Sequence, residues 1–555
     1  MLTATAPAGH LLAPLRRSLV AAFLLTLLAK AAVGQGTADA EDFETDITCS
    51  ILLRGEVGSA DQVPTVTDAG IECTGPGTPV TINANPVVVD LLGETVPGAS
   101  LVAGSPQDAY LTFDSLPPIT IRDSEIDDLV GTGQAPVRIE STTMQFLESE
   151  FDRNSMADAG VVHASDSTLR FRNCTFRANS GARAGAVVAA GGDVTILNSL
   201  FLGNTGTGEG AGPASGAVMA SRMATVLIDQ SVFRGNQALQ PGASAFMATE
   251  DVSANISHVD FNMNSALNGS AIVMDGGRIG IFGSVFETNG GGAGGAGVLL
   301  ERGAAGSILG SEFNENIGDD GALTVRDSAV DVQACFFNLN HGRKFGGAVS
   351  IFGGAPGSTQ SFTNCIFENN SAPVGAAIAM SITPETRLEE CVFLANRAGM
   401  LGGALYQWNC DSTEVVGCRF QANSARLAGG AISQTACSGE SPEAMSEDRL
   451  QLECMAEDGL ACTDVRIVRS DFVHNVAHLR GGEVFHKGCK NVELSGNRYQ
   501  YSQFFATEGR VMFQEACETL TEEDETYEAV ELDLEKPLNT VVVRKECPSE
   551  GLDGN

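Results

Sequence analysis

The sequence predicts an all-β protein built as a parallel β-helix, with three short strands per coil, about 14 coils and a cap at each end. Three observations lead there. A Phe-x-x-Asn phrase recurs from Phe151 to Phe472, at spacings of 25, 25, 32, 28, 25, 27, 24, 30, 26, 27 and 52 residues. A Gly-Gly-Ala-aliphatic phrase follows several copies, as in Gly402-Gly403-Ala404-Leu405 and Gly429-Gly430-Ala431-Ile432. Aligning the phenylalanines aligns other columns of like residues. A period near 26 identifies a repeat array.

Those columns define the strands. Five residues before each anchor stands a large apolar residue, such as Phe146, Ile228, Ile308 or Leu388. Two before it stands Ser or Cys in every copy but Val259. Positions 0 and −2 share one face of a strand because side chains alternate. Position −5 is out of that phase, so a corner is expected near −4 and −3. The third strand starts at the Gly-Gly-Ala phrase, where Val349/Ile351 and Ile378/Met380 alternate inward. The glycines supply positive φ and close backbone approach. The Asn of each phrase fits a turn position, where its amide pairs with backbone and tolerates the left-handed region. A helical repeat would need apolar spacings of three and four.

The chain divides into four expected segments. Residues 1–34 read as a signal peptide: Arg16 and Arg17 precede the apolar run Leu19–Leu28, and Ala32-Val33-Gly34 suits cleavage near Gln35. Residues 35–115 lack the repeat and read as an N-terminal cap. Residues 116–505 carry the helix, with an acidic insertion at 436–465. Residues 506–555 form an acidic C-terminal cap or tail. No later run approaches the roughly 20 apolar residues of a membrane span. The expected location is secreted, extracellular or at a cell surface. The net charge of −36 makes nucleic acid and anionic membranes poor partners. An extracellular glycan or protein remains, and the oligomeric state is open.

The tandem F-x-x-N and GGA[ILV] phrases over residues 151–485 resemble the repeats of the chlamydial polymorphic membrane proteins. The resemblance implies a single right-handed parallel β-helix of the pectin-lyase-like class. It suggests a role in adhesion. Only about 50 residues follow the final coil, too few for the translocator barrel of those proteins, so their secretion route is not implied.

The 14 cysteines form two columns and several pairs. Cys335, Cys365, Cys391 and Cys418 occupy position −2 in consecutive coils and read as a stack of buried thiols. Cys410, Cys437 and Cys489 form a second column that suits one disulfide, Cys410–Cys437 or Cys437–Cys489. Cys49–Cys73, Cys454–Cys462 and Cys517–Cys547 are further candidate pairs. There is no C-x-x-C pair, so zinc is not expected, and no cofactor is predicted.

Catalysis has one weak candidate. Asp319 and Asp320 lie one coil from His341, loosely like the Asp-Asp and Gly-His-Gly phrases of polygalacturonases. A further acid one coil earlier is missing, and so is a later Arg-x-Lys phrase. The competing reading is rung-to-rung salt bridging of Asp319 and Asp320 with Arg343 and Lys344. For ligand contact the outward-pointing Tyr406, Trp408 and Phe485 are the candidates, since exposed aromatics suit sugar stacking or protein adhesion. Alternatively the acidic insertion folds over them and buries them as a satellite core. Asn173, Asn255, Asn268 and Asn369 begin N-x-S/T sequons and are candidate glycosylation sites. The leading expectation is a secreted, non-catalytic, adhesin-like protein that binds glycan or protein. The alternatives are a polysaccharide-active enzyme (hydrolase, lyase or epimerase) on the same scaffold, and a structural wall or matrix component.

Overall fold

The structure is a computed structural model. It describes residues 47–55, 66–74, 80–82, 100–102, 109–114, 119–435, 462–501, 511–515, 519–529 and 542–545, apart from 132–134, 158, 209–211, 293 and 355–357. Residues 1–46, most of the acidic insertion and parts of both caps lie outside these. Every regular element described is a β-strand. The strands form a right-handed parallel β-helix. One coil runs Arg278–Phe282, Val285–Glu287 and Val298–Glu301; the next runs Ala305–Leu309, Glu312–Asn314 and Leu323–Arg326. Each strand pairs in parallel with its equivalent, Ile281↔Ile308, Phe286↔Phe313 and Leu300↔Val325.

The corner expected before the anchor falls at −3. Asn173, Asn198, Gln230 and Ala334 there all have φ between 49° and 55°. A second left-handed residue stands two after the anchor, as in Arg153, Ala178 and Glu315. The three-residue Phe strand is therefore bracketed by two reversals. The expectation that the Asn of the repeated phrase itself occupies the left-handed turn is corrected: the residue before it does. The Asn stays inward because its amide is needed there.

That amide builds a ladder through the core. Asn316 Nδ2 donates to Phe286 O at 2.9 Å and to Asn340 Oδ1 at 3.0 Å. Its Oδ1 accepts from Asn289 N at 3.1 Å and Asn289 Nδ2 at 3.0 Å. The same bonds repeat from Asn154 to Asn475. Beside the ladder the phenylalanines stack nearly parallel, with centroids 4.6 Å apart for Phe286–Phe313 and 4.7 Å for Phe313–Phe337. Burial of each ring contributes on the order of 2 kcal/mol. The stack continues through Tyr499 to Tyr527, so in-register coils extend past residue 505. At the other end Ile47–Gly55 pairs antiparallel with Val66–Thr74 and parallel with the first coil at Ile119–Arg122.

The −2 column is a buried hydroxyl and thiol ladder. Ser311 Oγ donates to Leu309 O at 3.2 Å, and Cys335 Sγ makes the same contact with Gln333 O at 3.2 Å. Cys335, Cys365, Cys391 and Cys418 are free, buried thiols, so sulfur substitutes for serine oxygen here.

The core turns polar toward its C-terminal end. Met380, Gln407, Gln434, His486 and Gln514 share one inward row and are fully buried or nearly so. Gln407 Nε2 donates to Thr413 Oγ1 at 2.6 Å, and Gln434 Nε2 donates to Gln407 Oε1. Among the described residues neither ring nitrogen of His486 has a hydrogen-bond partner. In the same coil Glu483 takes the place of the usual alanine, and its carboxyl accepts from Asn475, closing the amide ladder.

Burial lowers the His486 pKa from 6.5 to about 3. The imidazole is thus neutral in the folded state over a range where the unfolded chain takes up a proton. Its contribution to stability is present above pH 6.5 and is lost as pH falls toward 3. Burial shifts the Glu483 carboxyl upward, which works in the opposite sense, lost as pH rises. His486→Leu is therefore expected to raise the melting temperature at pH 4–5 more than at pH 7.5. Equal shifts at both pH values, in scanning calorimetry, would remove the histidine as the cause.

Candidate functional site

The three sequence candidates fare differently. Asp319 is ion-paired with Arg343 at 3.2 Å and Lys344 at 2.9 Å. Burial pushes its carboxyl up, but hydrogen bonds from Lys344 and Arg343 outweigh this and hold its pKa below the usual range. A carboxylate held ionised cannot serve as a general acid. Asp320 turns the other way, is buried, and pairs with Arg326 at 2.6 Å. His341 is exposed, with Nδ1 2.9 Å from Ser371 Oγ. The rung-to-rung pairing reading thus holds for Asp319, while Asp320 belongs to its own coil.

The aromatic contact surface is corrected. Tyr406 and Trp408 are 3% and 4% exposed, and Phe485 is fully buried. They do point away from the central core, as strand alternation requires, but into a second apolar layer. Phe345, Val374, Leu401 and Ala428 supply that layer together with Phe513. These residues precede the glycine phrases of successive coils and bridge in parallel, Phe345↔Val374 and Leu401↔Ala428. Gly402, at φ 64°, reverses the chain so that this segment lies over the third strand; a Cβ there would stand 2.3 Å from Leu405 O. Tyr406 Oη lies 3.3 Å from Thr435 Oγ1, which leaves no hydroxyl facing a ligand.

Of the outer column, Cys410 and Cys489 are described, while Cys437, the candidate disulfide partner of each, is not. Both are buried, and Cys410 Sγ lies 3.6 Å from Trp408 O. Cys437, Cys454, Cys517 and Cys547 lie outside the described residues. The backbone puts Cys49 opposite Cys73 and Cys462 opposite Cys489 in strand register. The sequon residues Asn173, Asn255, Asn268 and Asn369 are all exposed.

A polar groove lies elsewhere, on the outer face of the first strand of successive coils. It encloses about 370 Å³ and crosses the strands Glu385–Glu389, Ser412–Val416, Cys462–Val468, Cys489–Ser495 and Thr519–Glu523. Strand register places Glu385, Ser412, Asp464, Asn491 and Thr519 in one row along the axis. A parallel row holds Arg387, Glu414, Arg466, Glu493 and Thr521. In the second row each arginine bridges carboxylates. Arg466 Nη1 reaches Glu414 Oε1 at 2.6 Å and its Nε reaches Glu493 Oε1 at 3.1 Å. Arg387 Nη1 reaches Glu414 Oε2 at 2.7 Å. Hydrogen bonding to Glu493 first, and to Glu414 next, raises the Arg466 pKa. In the first row Asn491 Nδ2 donates to Asp464 Oδ1 at 2.7 Å, and Thr519 Oγ1 donates to Asn491 Oδ1 at 2.7 Å.

Sequence reasoning missed this groove. Its signal is the column six before the anchor, which alternates Arg387, Glu414, Arg466 and Glu493. Among the described residues no group of three or more His, Cys, Asp or Glu has the arrangement of a metal site.

The fold and groove define a parallel β-helix with a polar outer face. No family model matches the chain, and no curated protein matches it. Solved structures of β-helical enzymes are similar in fold only. A mannuronic-acid-specific polysaccharide family 6 lyase from human gut microbiota is 10% identical, with TM-score 0.26, covering 78% of this chain and 86% of its own. The Azotobacter vinelandii mannuronan C-5 epimerase AlgE6 A-module is 8% identical, with TM-score 0.20, covering 78% and 91%. The catalytic unit of a GH87 α-1,3-glucanase from Streptomyces thermodiastaticus strain HF3-3 is 12% identical, with TM-score 0.23, covering 75% and 79%. The expectation of a non-catalytic, adhesin-like protein is corrected here. Its contact aromatics Tyr406, Trp408 and Phe485 are buried and present no face to a partner.

Proposed function

We propose that this protein is a polysaccharide-active enzyme whose substrate lies along the groove of Glu385, Glu414, Asp464, Arg466 and Glu493. The observation that carries this is the register. Two rows of polar side chains repeat along the axis at about 4.8 Å per coil, so an extended polymer meets similar groups coil after coil. Hydrolysis is the reaction these residues serve, because it runs on paired carboxylates. No lysine, histidine or tyrosine stands among the described lining residues. Glu414 and Glu493 flank Arg466, whose guanidinium fixes both carboxylates. In the proposed step the carboxylate of Glu414 or Glu493 takes a proton from a water that attacks the anomeric carbon, and the leaving oxygen takes its proton from solvent. The glycosidic C–O bond breaks and water supplies the new hydroxyl.

Secretion belongs to the same proposal, since such a substrate is extracellular; it rests on the apolar run Leu19–Leu28. The resemblance to the chlamydial repeats is read as a shared packing solution, because each phrase has a packing role in this chain.

The test incubates purified protein with a panel of neutral and acidic polysaccharides and measures reducing ends, unsaturated products and epimerisation. Reducing ends are expected. Glu414→Gln and Glu493→Gln should each lower the rate by about 10²–10⁴-fold with the melting temperature held. Asp319→Asn should leave it unchanged. No product from any polymer, or full turnover in both glutamine variants, would sink the assignment.

A further inference from the structure

We infer that the groove selects an uncharged polysaccharide, gripped through its hydroxyl groups, over a polyuronate. This rests on the polysaccharide reading above and specifies its substrate class.

The argument begins with the sign of the charge. Along the two rows and their edge stand five carboxylates, Glu385, Glu389, Glu414, Asp464 and Glu493, against two guanidiniums, Arg387 and Arg466. The balance is negative, on a chain whose own net charge is −36. A carboxylate on every sugar would face like charge at the coils of Glu385, Glu414, Asp464 and Glu493.

The second point is that neither guanidinium is available to an incoming anion. Arg387 is held by Glu389 at 3.2 Å and Glu414 at 2.7 Å. Arg466 is held by Glu414 at 2.6 Å and Glu493 at 3.1 Å. A uronate would have to displace a carboxylate already in place, exchanging one ion pair for another with no gain.

The third point is what the lining offers instead. Its carboxylates are acceptors only, and Ser412, Thr519 and Thr521 both donate and accept. A neutral sugar brings several hydroxyl donors per unit, and a hydroxyl bound to a carboxylate makes a charge-assisted hydrogen bond. No aromatic residue lines the groove among those described, so ring stacking is not the basis of recognition.

The test is affinity electrophoresis of the full chain in gels containing a soluble neutral glucan, mannan or xylan, or else polygalacturonate or a polymannuronate, in calcium-free buffer with EDTA. A neutral polymer is expected to retard the protein at a concentration at least tenfold lower than either polyuronate. Glu385→Lys, on an exposed side chain, should shrink that ratio at least threefold while circular dichroism stays unchanged. Polyuronate binding equal to or tighter than every neutral polymer, with turnover, would overturn the inference and leave the polysaccharide reading standing. Binding of polyuronate after calcium is restored, at neutral-polymer strength, would overturn it too. Failure of every polymer to bind or turn over would remove the polysaccharide reading, and this inference with it.

Discussion

Phe313→Ala is expected to destabilise the coils around it by about 3–5 kcal/mol. The ring is fully buried and sandwiched between Phe286 and Phe337 at 4.6 Å and 4.7 Å. Truncation removes its transfer energy and leaves a cavity that the flat neighbours cannot fill, since each ring is fixed by the strand register. In a stacked array each coil contacts only its neighbours, so the loss is local. Hydrogen exchange should show protection falling in the strands Val285–Glu287, Glu312–Asn314 and Phe336–Asn338, with remote coils unchanged. Phe313→Leu should recover much of the loss. Uniform loss of protection across the whole stack would mean that the array unfolds as one unit. A loss under about 1 kcal/mol would mean that the stack is decorative.

Asn316→Ala is expected to cost about as much for a different reason. It leaves Asn289 N and Asn289 Nδ2 without their acceptor and deprives Phe286 O of a donor, all inside the core. Each buried group left unsatisfied costs about 1–3 kcal/mol. Asn316→Asp separates the two functions of the amide. The carboxylate can still accept from Asn289, yet it cannot donate to Phe286 O or Asn340 Oδ1, and it brings a charge into the core. Denaturant unfolding should therefore show Asp no better than Ala. If Asp restored native stability, only the acceptor of the ladder would matter.

Both experiments concern features written plainly in the sequence. Phe and Asn three apart, twelve times over, meant one inward ring per coil followed by an Asn at a turn. The −5 column, out of phase with −2 and 0, placed the corner that Asn173 and Gln230 occupy. What was misjudged was finer. The left-handed residue is Arg153, not Asn154, because an asparagine that turned would withdraw its amide from the ladder.

The candidate site was far less legible. Asp319 and Asp320 drew attention as adjacent acids, yet their partners differ: Arg343 and Lys344 a coil away for one, Arg326 in the same coil for the other. Adjacent side chains on a turn point apart, and only the backbone path says toward what. Tyr406 and Trp408 were placed correctly on the outer side of their strand, but the segment ending at Leu401 covers them. Alternation tells which side of a strand a residue takes, not what lies beyond it.

By itself, the sequence determined the solenoid, its period, its three strands and the columns of its core. Those follow from contacts that recur between one coil and the next, so they print a repeat into the chain. The tertiary structure alone decided the surface. It buried the only tryptophan, paired Asp320 with Arg326 in its own coil, and left the column of Arg387, Glu414, Arg466 and Glu493 open to solvent. Those outcomes depend on where irregular segments run and on which outward column stays open to solvent, and neither has a period to read.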